Sequence, residues 1–160
     1  MGLLVLGLGN ILLRDEGLGV RLVERFLERY SVPDPVEVLD GGTAGMELLH
    51  RIASQDALIL CDALRSAEPP GTILRVPGAE LPALFRTKLS PHQLGLADLL
   101  ASLALLGETP AHVVLIGVVP EDLSLGLELS PRVEAALQPA LALLVAEIQA
   151  LGYPLVARSG

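Results

Sequence analysis

Apolar runs and helix-like segments alternate along the chain from one end to the other. Short apolar runs predict five strands, at residues 3–8, 36–39, 57–61, 72–76 and 113–119. Helical periodicity predicts helices at residues 17–30, 44–52, 90–106 and 130–151. This alternation is typical of a three-layer α/β sandwich, in which helices cover both faces of a mainly parallel, twisted sheet of about five strands. No linker or low-complexity tract interrupts the pattern, so we expect residues 1–160 to form a single domain.

Local signals refine these bounds. Ser90-Pro91 and Ser130-Pro131 each place a capping residue before a proline at the first helical position. Gly41-Gly42-Thr43 predicts a turn after the second strand. The strand at 72–76 alternates, as an edge or hairpin strand does, and residues 78–90 predict a loop with at most a short helix.

Composition narrows the class of protein. Hydrophobic residues make up 51% of the chain and charged residues 19%, which predicts an ordered globular fold. The net charge of −8 argues against nucleic-acid binding, which depends on clusters of Lys and Arg. The first residues show no secretory signal pattern, and the apolar run at 94–106 is too short to cross a bilayer. We therefore expect a soluble cytoplasmic protein with no nucleic-acid partner and no membrane insertion.

The loop at residues 7–19, with the sequence GLGNILLRDEGLG, joins the first strand to the first helix. Glycine-rich loops in this position often hold a phosphate. Asp15 and Glu16, however, would repel an anion and attract a cation. A dinucleotide-binding module is an alternative, since Asp40 closes the next strand as a ribose-binding acid does. Against that alternative, Leu12 stands where the third glycine of the phosphate loop would be.

Acidic residues and one histidine follow the predicted strands in a pattern that suggests a metal site. In a parallel sheet, sites form at the carboxyl ends of the strands, which predicts one shared edge for Asp15, Glu16, Asp40, Asp62 and His92. Two carboxylates and an imidazole are a common ligand set for a divalent metal, and Glu16, Asp62 and His92 form the simplest such set. Each residue also has a structural interpretation, as a partner of a helix dipole, a turn cap or a surface residue.

Cys61 is the only cysteine, which excludes an internal disulfide and a cysteine-based zinc site. It directly precedes Asp62, a position that also suggests a nucleophile. Strand alternation points the two side chains to opposite faces, so we interpret Cys61 as a core residue.

Five blocks of the chain resemble the hydrogenase maturation endopeptidases, in that family's order and approximate spacing. They are Gly7-Leu8-Gly9-Asn10, Asp15-Glu16-Gly17-Leu18-Gly19, Asp40-Gly41-Gly42-Thr43-Ala44-Gly45, Asp62-Ala63 and Ser90-Pro91-His92-Gln93. The family often has Asp-Asp-Gly where this chain has Asp15-Glu16-Gly17. Since the second acid of that motif is either Asp or Glu, Glu16 is compatible with the family pattern.

The resemblance implies an endopeptidase that removes the C-terminal extension of the nickel-iron hydrogenase large-subunit precursor after nickel has been inserted. It also implies that nickel, delivered in the substrate, is contacted by the catalytic residues Glu16, Asp62 and His92. The residues expected to bind or order the substrate tail are Asp15, Asp40, Gly41, Gly42 and Thr43. The chain has neither the His-Glu-x-x-His helix of a zinc protease nor the Gly-x-Ser-x-Gly turn of a serine hydrolase. A noncatalytic accessory that binds nickel or the precursor would need the same docking residues and is an alternative.

Overall fold

The computed structural model describes residues 2–42, 48–87 and 91–159, and within them the surroundings of all but residues 42, 85–87 and 91–95. The strands are β1 (Leu3–Leu8), β2 (Tyr30–Ser31), β3 (Val36–Gly42), β4 (Ala57–Ala63), β5 (Ile73–Pro77), β6 (His112–Val118) and β7 (Val156–Ala157). The helices are α1 (Leu18–Arg29), α2 (Leu49–Ala53), α3 (Leu81–Thr87), α4 (Pro91–Leu105) and α5 (Pro131–Ala150). Short 3₁₀ helices span Arg14–Gly17 and Gly78–Glu80.

Five strands form one sheet in the order β3-β1-β4-β6-β5. All neighbouring pairs are parallel except β5 and β6, so β5 is the antiparallel edge strand that its alternation predicted. The separate β2–β7 pair is antiparallel and was not predicted. The predicted three-layer α/β architecture with a five-stranded, mainly parallel sheet is confirmed.

Side-chain alternation along the strands divides the core into two layers. Leu3 and Val5 of β1 pack with α1 and α5, and this side of the sheet is called the α1 face. Leu4 and Leu6 pack with α2, α3 and α4, and this side is called the α4 face. The two faces matter for function because neighbouring residues of one strand belong to different layers.

Helix α5 is the longest helix in the described part of the chain, and by length and hydropathy alone it would suffice to cross a membrane. Its apolar side is packed against the sheet instead, with Val133, Leu141 and Leu144 in the core of the α1 face. The helix begins at Pro131 directly after Ser130, as the Ser-Pro signal predicted.

Several predicted bounds differ from the structure. The predicted turn at 41–43 is wrong for Gly41 and Gly42, which continue β3, and Thr43 lies outside the described residues. A register shift against β1 accompanies this extension, because Gly7 pairs with Asp40 while Leu8 pairs with Gly42. Strand β4 likewise runs to Ala63, beyond the apolar run that predicted it. Of the predicted helix at 44–52, the described part begins at Leu49.

Candidate functional site

The glycine-rich loop is folded against the ends of the central strands. A side chain at Gly19 would place its Cβ 2.0 Å from the carbonyl oxygen of Cys61, so only glycine allows α1 to begin so close to β4. Gly9 has φ +122°, and a Cβ there would lie 1.9 Å from the carbonyl oxygen of Glu16. These two glycines bring the 3₁₀ turn that carries Glu16 onto the carboxyl edge of the sheet.

The same loop does not present its backbone as a phosphate cradle. An anion site of that kind needs several backbone N–H groups aimed at the ligand. Here five consecutive N–H groups donate to acceptors within the chain: those of Leu12, Leu13, Arg14, Asp15 and Glu16. The glycines are thus accounted for by close packing, and the loop gives no support to the dinucleotide-binding alternative.

Glu16 is half-buried within the 3₁₀ helix Arg14–Gly17, which contacts β4. Asp62 lies near the carboxyl end of β4 and is fully buried, in register with Gly117 of β6. Alternation places Asp62 on the α4 face, the same side as Leu58 and Leu60. Burying a carboxylate this deeply costs desolvation free energy. A buried acid at the end of an apolar strand is therefore unusual unless it serves a functional site.

Cys61 packs on the opposite side, in the core of the α1 face. Complete burial, together with the nearby negative charge of Asp62, raises the pKa of its thiol to about 12. The group is therefore a neutral thiol at physiological pH. The interpretation of Cys61 as a core residue rather than a nucleophile is confirmed.

His92 is the second residue of α4, whose buried residues Leu96, Leu99 and Leu103 pack on the α4 face. Because α4 is followed by the amino end of β6, its first turn lies toward the carboxyl edge of the sheet. A 15-residue helix is about 22 Å long, close to the length of a seven-residue strand. Helix α4 therefore extends along the strands from the carboxyl edge of the sheet to its amino edge. The side chain of His92 lies outside the described set.

The structure therefore places the turn bearing Glu16 against β4, the strand that carries Asp62, and the chain order places the first turn of α4 toward the same edge of the sheet. Among the side chains that the structure describes, no group of three His, Cys, Asp or Glu residues is arranged to hold a metal ion. That search does not include the side chain of His92. The ligand set Glu16, Asp62 and His92 stays a prediction.

Asp40 lies at the same edge but on the other face of the sheet. It is exposed and pairs in register with Gly7, which faces α1, so Asp40 belongs to the α1 face while Asp62 belongs to the α4 face. Gly41 faces the α4 side, where a Cβ would lie 2.8 Å from Cδ1 of Leu6. Asp40 thus lies at the predicted edge of the sheet, but it lies on the opposite face from Asp62.

Asp15 is fully buried, and both of its carboxylate oxygens accept hydrogen bonds from one later segment. Oδ1 accepts from the backbone N–H of Ser130 at 2.7 Å, and Oδ2 accepts from the Ser130 hydroxyl at 2.7 Å. Oδ2 also accepts from the backbone N–H groups of Glu121 and Asp122, each at 2.9 Å. A carboxylate enclosed in this way orders the loop, and the geometry favours that role over the expected substrate contact.

Sequence reasoning did not include residues 120–130 in the site. These residues follow β6 at the same carboxyl edge, so the rule that selected Asp40 and Asp62 applies equally to Glu121 and Asp122. Ser130 was interpreted only as a helix start. Its hydroxyl in fact donates to Asp15 and makes no capping hydrogen bond to α5.

Comparison with known proteins gives consistent results across sequence and structure. The family model for hydrogenase maturation proteases of the HycI type matches residues 20–147. The hydrogenase 2 maturation protease of Escherichia coli strain K12 is 51% identical over 159 residues, covering 99% of this chain and 97% of the relative.

Two solved structures extend the comparison. The hydrogenase maturating endopeptidase HybD from E. coli superimposes with a TM-score of 0.95 at 50% identity, over 99% of this chain and 98% of that one. The [NiFe] hydrogenase maturation protease HybD from Thermococcus kodakarensis superimposes with a TM-score of 0.77 at 28% identity, over 92% and 99% of the two chains.

Proposed function

Because the chain belongs to the hydrogenase maturation protease family, we propose that Glu16, Asp62 and His92 recognise the nickel carried by an incoming hydrogenase precursor. The chain is a hydrolase, an endopeptidase of hydrogenase maturation. Homologues in this family cleave the C-terminal extension from the hydrogenase large-subunit precursor. Nickel in this proposal is part of the substrate, and it marks a precursor whose metal centre is ready for processing.

The observation that supports this proposal is the placement of Asp62. Its carboxylate is buried at the carboxyl end of β4, beside the turn that carries Glu16 and on the face covered by α4. A half-buried and a fully buried carboxylate near a helix with a histidine in its first turn supply oxygen and nitrogen donors with open coordination positions. Such a donor set suits a metal that arrives already bound to other ligands. The docked nickel acts as the Lewis acid that polarises the scissile carbonyl for attack by water.

We further propose that the substrate tail runs along the carboxyl half of β3. This strand is one of the two outer strands of the sheet, and an extended peptide binds such an edge through backbone hydrogen bonds. The residues that would line the tail are Asp40, Gly41, Gly42 and Thr43. The exposed carboxylate of Asp40 and the bare backbone of the two glycines favour this arrangement.

The test uses His92→Ala and the purified nickel-loaded precursor, with release of the tail followed by mass spectrometry. Loss of a metal-contacting imidazole predicts a fall in cleavage rate of at least about 100-fold. The matched control is His50→Ala, because His50 is an exposed histidine on α2, and its cleavage rate is expected to equal that of the wild type.

Two outcomes would contradict the proposal. Cleavage by His92→Ala at the wild-type rate would remove His92 from the site. An intact tail after incubation with the wild-type protein would instead favour the noncatalytic accessory. A further measurement uses precursor without nickel, which the wild-type protein is expected to leave uncut.

We also propose a cytoplasmic location. A globular fold like that of HybD and a buried, reduced Cys61 are compatible with a reducing compartment. Fractionation of cells, with detection of the protein in the soluble cytoplasmic fraction, tests this location.

A further inference from the structure

Two loops run side by side next to the turn that carries Glu16. Leu13 and Gly126 form a parallel β-bridge. The N–H of Gly126 donates to the carbonyl of Leu12 at 2.9 Å, and the N–H of Arg14 donates to the carbonyl of Gly126 at 3.0 Å. This pairing sets Leu12 beside Leu125 and places Leu127 two residues further along the second loop.

The leucines of this ribbon are exposed to an unusual degree. Leu12 is 56% exposed, Leu125 78% and Leu127 60%, and together they are called the leucine ribbon. Single exposed leucines are common on protein surfaces, but three on two paired loops form a contiguous apolar patch of the kind that marks an interaction site.

The backbone under the leucine ribbon is fixed. The hydrogen bonds to Asp15 fasten both ends of the second loop, and the carboxylate of Asp122 accepts hydrogen bonds from the N–H and hydroxyl of Ser124 at 2.9 and 2.6 Å. A rigid apolar surface loses little conformational entropy when a partner covers it. The exposed leucines are therefore displayed on an ordered scaffold.

The position of the leucine ribbon indicates what covers it. Leu12 lies four residues before Glu16, so the ribbon is close to the proposed site and within reach of the body of a protein whose tail is bound there. A stable homodimer buries about 800 Å² per subunit, and three partly exposed leucine side chains supply only a fraction of that area. A contact of this size suits a transient encounter, as between an endopeptidase and its protein substrate.

The ribbon also continues into a larger depression. Leu127 lines a cavity of about 540 Å³ between α1 and the start of α5. Leu129 and Pro131 add apolar surface to its wall, and Arg21 at its rim donates to the carbonyl of Leu127 at 3.2 Å. The other lining residues include Arg25 and four glutamates, so the recess beside the leucine ribbon is polar as well as apolar.

We propose that the leucine ribbon, Leu12, Leu125 and Leu127, is a docking surface for an apolar face of the folded hydrogenase large-subunit precursor. The proposal rests on the proposed function, because it assumes that the precursor tail is cut at the neighbouring edge of the sheet. The ribbon binds the body of the precursor and contributes to affinity. The residues proposed to contact nickel, Glu16, Asp62 and His92, act at the scissile bond.

The test compares two pairs of leucines by cleavage kinetics. Leu125→Ser combined with Leu127→Ser is expected to raise KM for the nickel-loaded precursor at least about tenfold and to leave kcat within about twofold. The control combines Leu105→Ser and Leu106→Ser, because these residues are 89% and 58% exposed at the end of α4, by the opposite edge of the sheet. The control pair is expected to keep the wild-type KM.

Folding of each variant is checked by circular dichroism and thermal unfolding. Leu125→Ser alone, at the most exposed position of the ribbon, is the second variant if the pair fails to fold. An unchanged KM in the ribbon variants, or an equal rise in the control pair, overturns the proposal. The proposal is also overturned if sedimentation shows that the wild-type protein dimerises through the ribbon and KM is unaffected in the ribbon variants.

These outcomes are separable from failure of the metal-reading assignment. If His92→Ala cleaves normally, Glu16, Asp62 and His92 lose their proposed role, yet the KM comparison still decides the docking surface. If the ribbon variants have normal KM while His92→Ala is inactive, only the docking surface is lost.

Discussion

The two ends of α5 each hold a buried acid, and the two acids are stabilised in opposite ways. At the amino end, Asp15 accepts hydrogen bonds from backbone N–H groups and the Ser130 hydroxyl. About 25 Å away, near the carboxyl end, Glu147 accepts from Nε and Nη2 of Arg75 at 2.9 and 2.8 Å and contacts Nε2 of His112 at 3.0 Å.

The helix dipole explains the difference. A carboxylate at a helix N-terminus is favoured by the partial positive charge there, so Asp15 needs only hydrogen-bond donors. A carboxylate near the C-terminus faces partial negative charge, and Glu147 is accompanied by a cation. Asp15 joins backbone segments and shapes the site, whereas Glu147 joins side chains of β5, β6 and α5 and secures the core. The comparison predicts that loss of Asp15 affects catalysis and that loss of Glu147 affects stability.

The largest effect is expected from Asp15→Ala. Removing the carboxylate leaves three backbone N–H groups and one hydroxyl without their acceptor, which lowers the free energy of unfolding by about 3 kcal/mol. The turn carrying Glu16 and the leucine ribbon then lose their shared support, so kcat/KM is expected to fall at least about 100-fold at a temperature where the variant is folded. Urea unfolding and cleavage kinetics on the same preparation measure both quantities. Wild-type cleavage by a folded Asp15→Ala protein would show that the loop holds its shape without this acid.

A smaller effect, confined to stability, is expected from Glu147→Gln. The side chain of Arg75 is 40% exposed and stays partly hydrated, which weakens its ion pair with Glu147. The free energy of unfolding is therefore expected to fall by about 1–2 kcal/mol. The catalytic edge is distant, and kcat/KM is expected to stay within twofold of the wild-type value. The control on the same helix is Glu134→Gln, whose exposed pair with Arg25 at 3.7 Å contributes little. A drop in kcat/KM for Glu147→Gln without unfolding would break the comparison.

The smallest effect is a pH dependence of stability. The hydrogen bonds from Arg75 hold the pKa of Glu147 below its ordinary value of 4.5, and those from His112 act in the same direction. The unfolded state therefore binds the proton more readily, so this stabilisation is complete above the unfolded pKa and is lost as the pH falls through the folded pKa. Urea unfolding between about pH 3 and pH 6 is expected to show a shallower acid dependence in Glu147→Gln than in the wild type. If the stability of Glu147→Gln and that of the wild type fall equally as the pH is lowered, other carboxylates account for the acid sensitivity.

The sheet was predictable because each central strand is buried on both faces. β1, β4 and β6 are therefore almost continuously apolar, apart from Asp62 and His112, and such runs are visible without knowledge of their neighbours. The extension of β3 through Gly41 and Gly42 was not predictable, since paired glycines resemble a turn until packing against Leu6 and Leu8 is known. The sequence therefore defined strand cores better than strand ends.

The site was predictable only in part. The rule of strand ends selected Asp15, Glu16, Asp40 and Asp62, but it did not distinguish the two faces of the sheet. That distinction separates Asp40 from Asp62 and depends on register. The bond between Asp15 and Ser130 was not predictable, because Ser130 lies 115 residues later in the chain and no local pattern links the two.

The tie between Asp15 and Ser130 has a consequence for synthesis. The loop at residues 7–19 acquires its working shape only when residues 121–130 can close around it, and those residues are synthesised more than 100 residues after Asp15. A nascent or truncated chain that ends before Ser130 lacks two of the four donors to Asp15, and one that ends before Glu121 lacks all four. The loop that carries Glu16 is thus not fixed until residue 130 has been made, so a shorter chain is not expected to cleave.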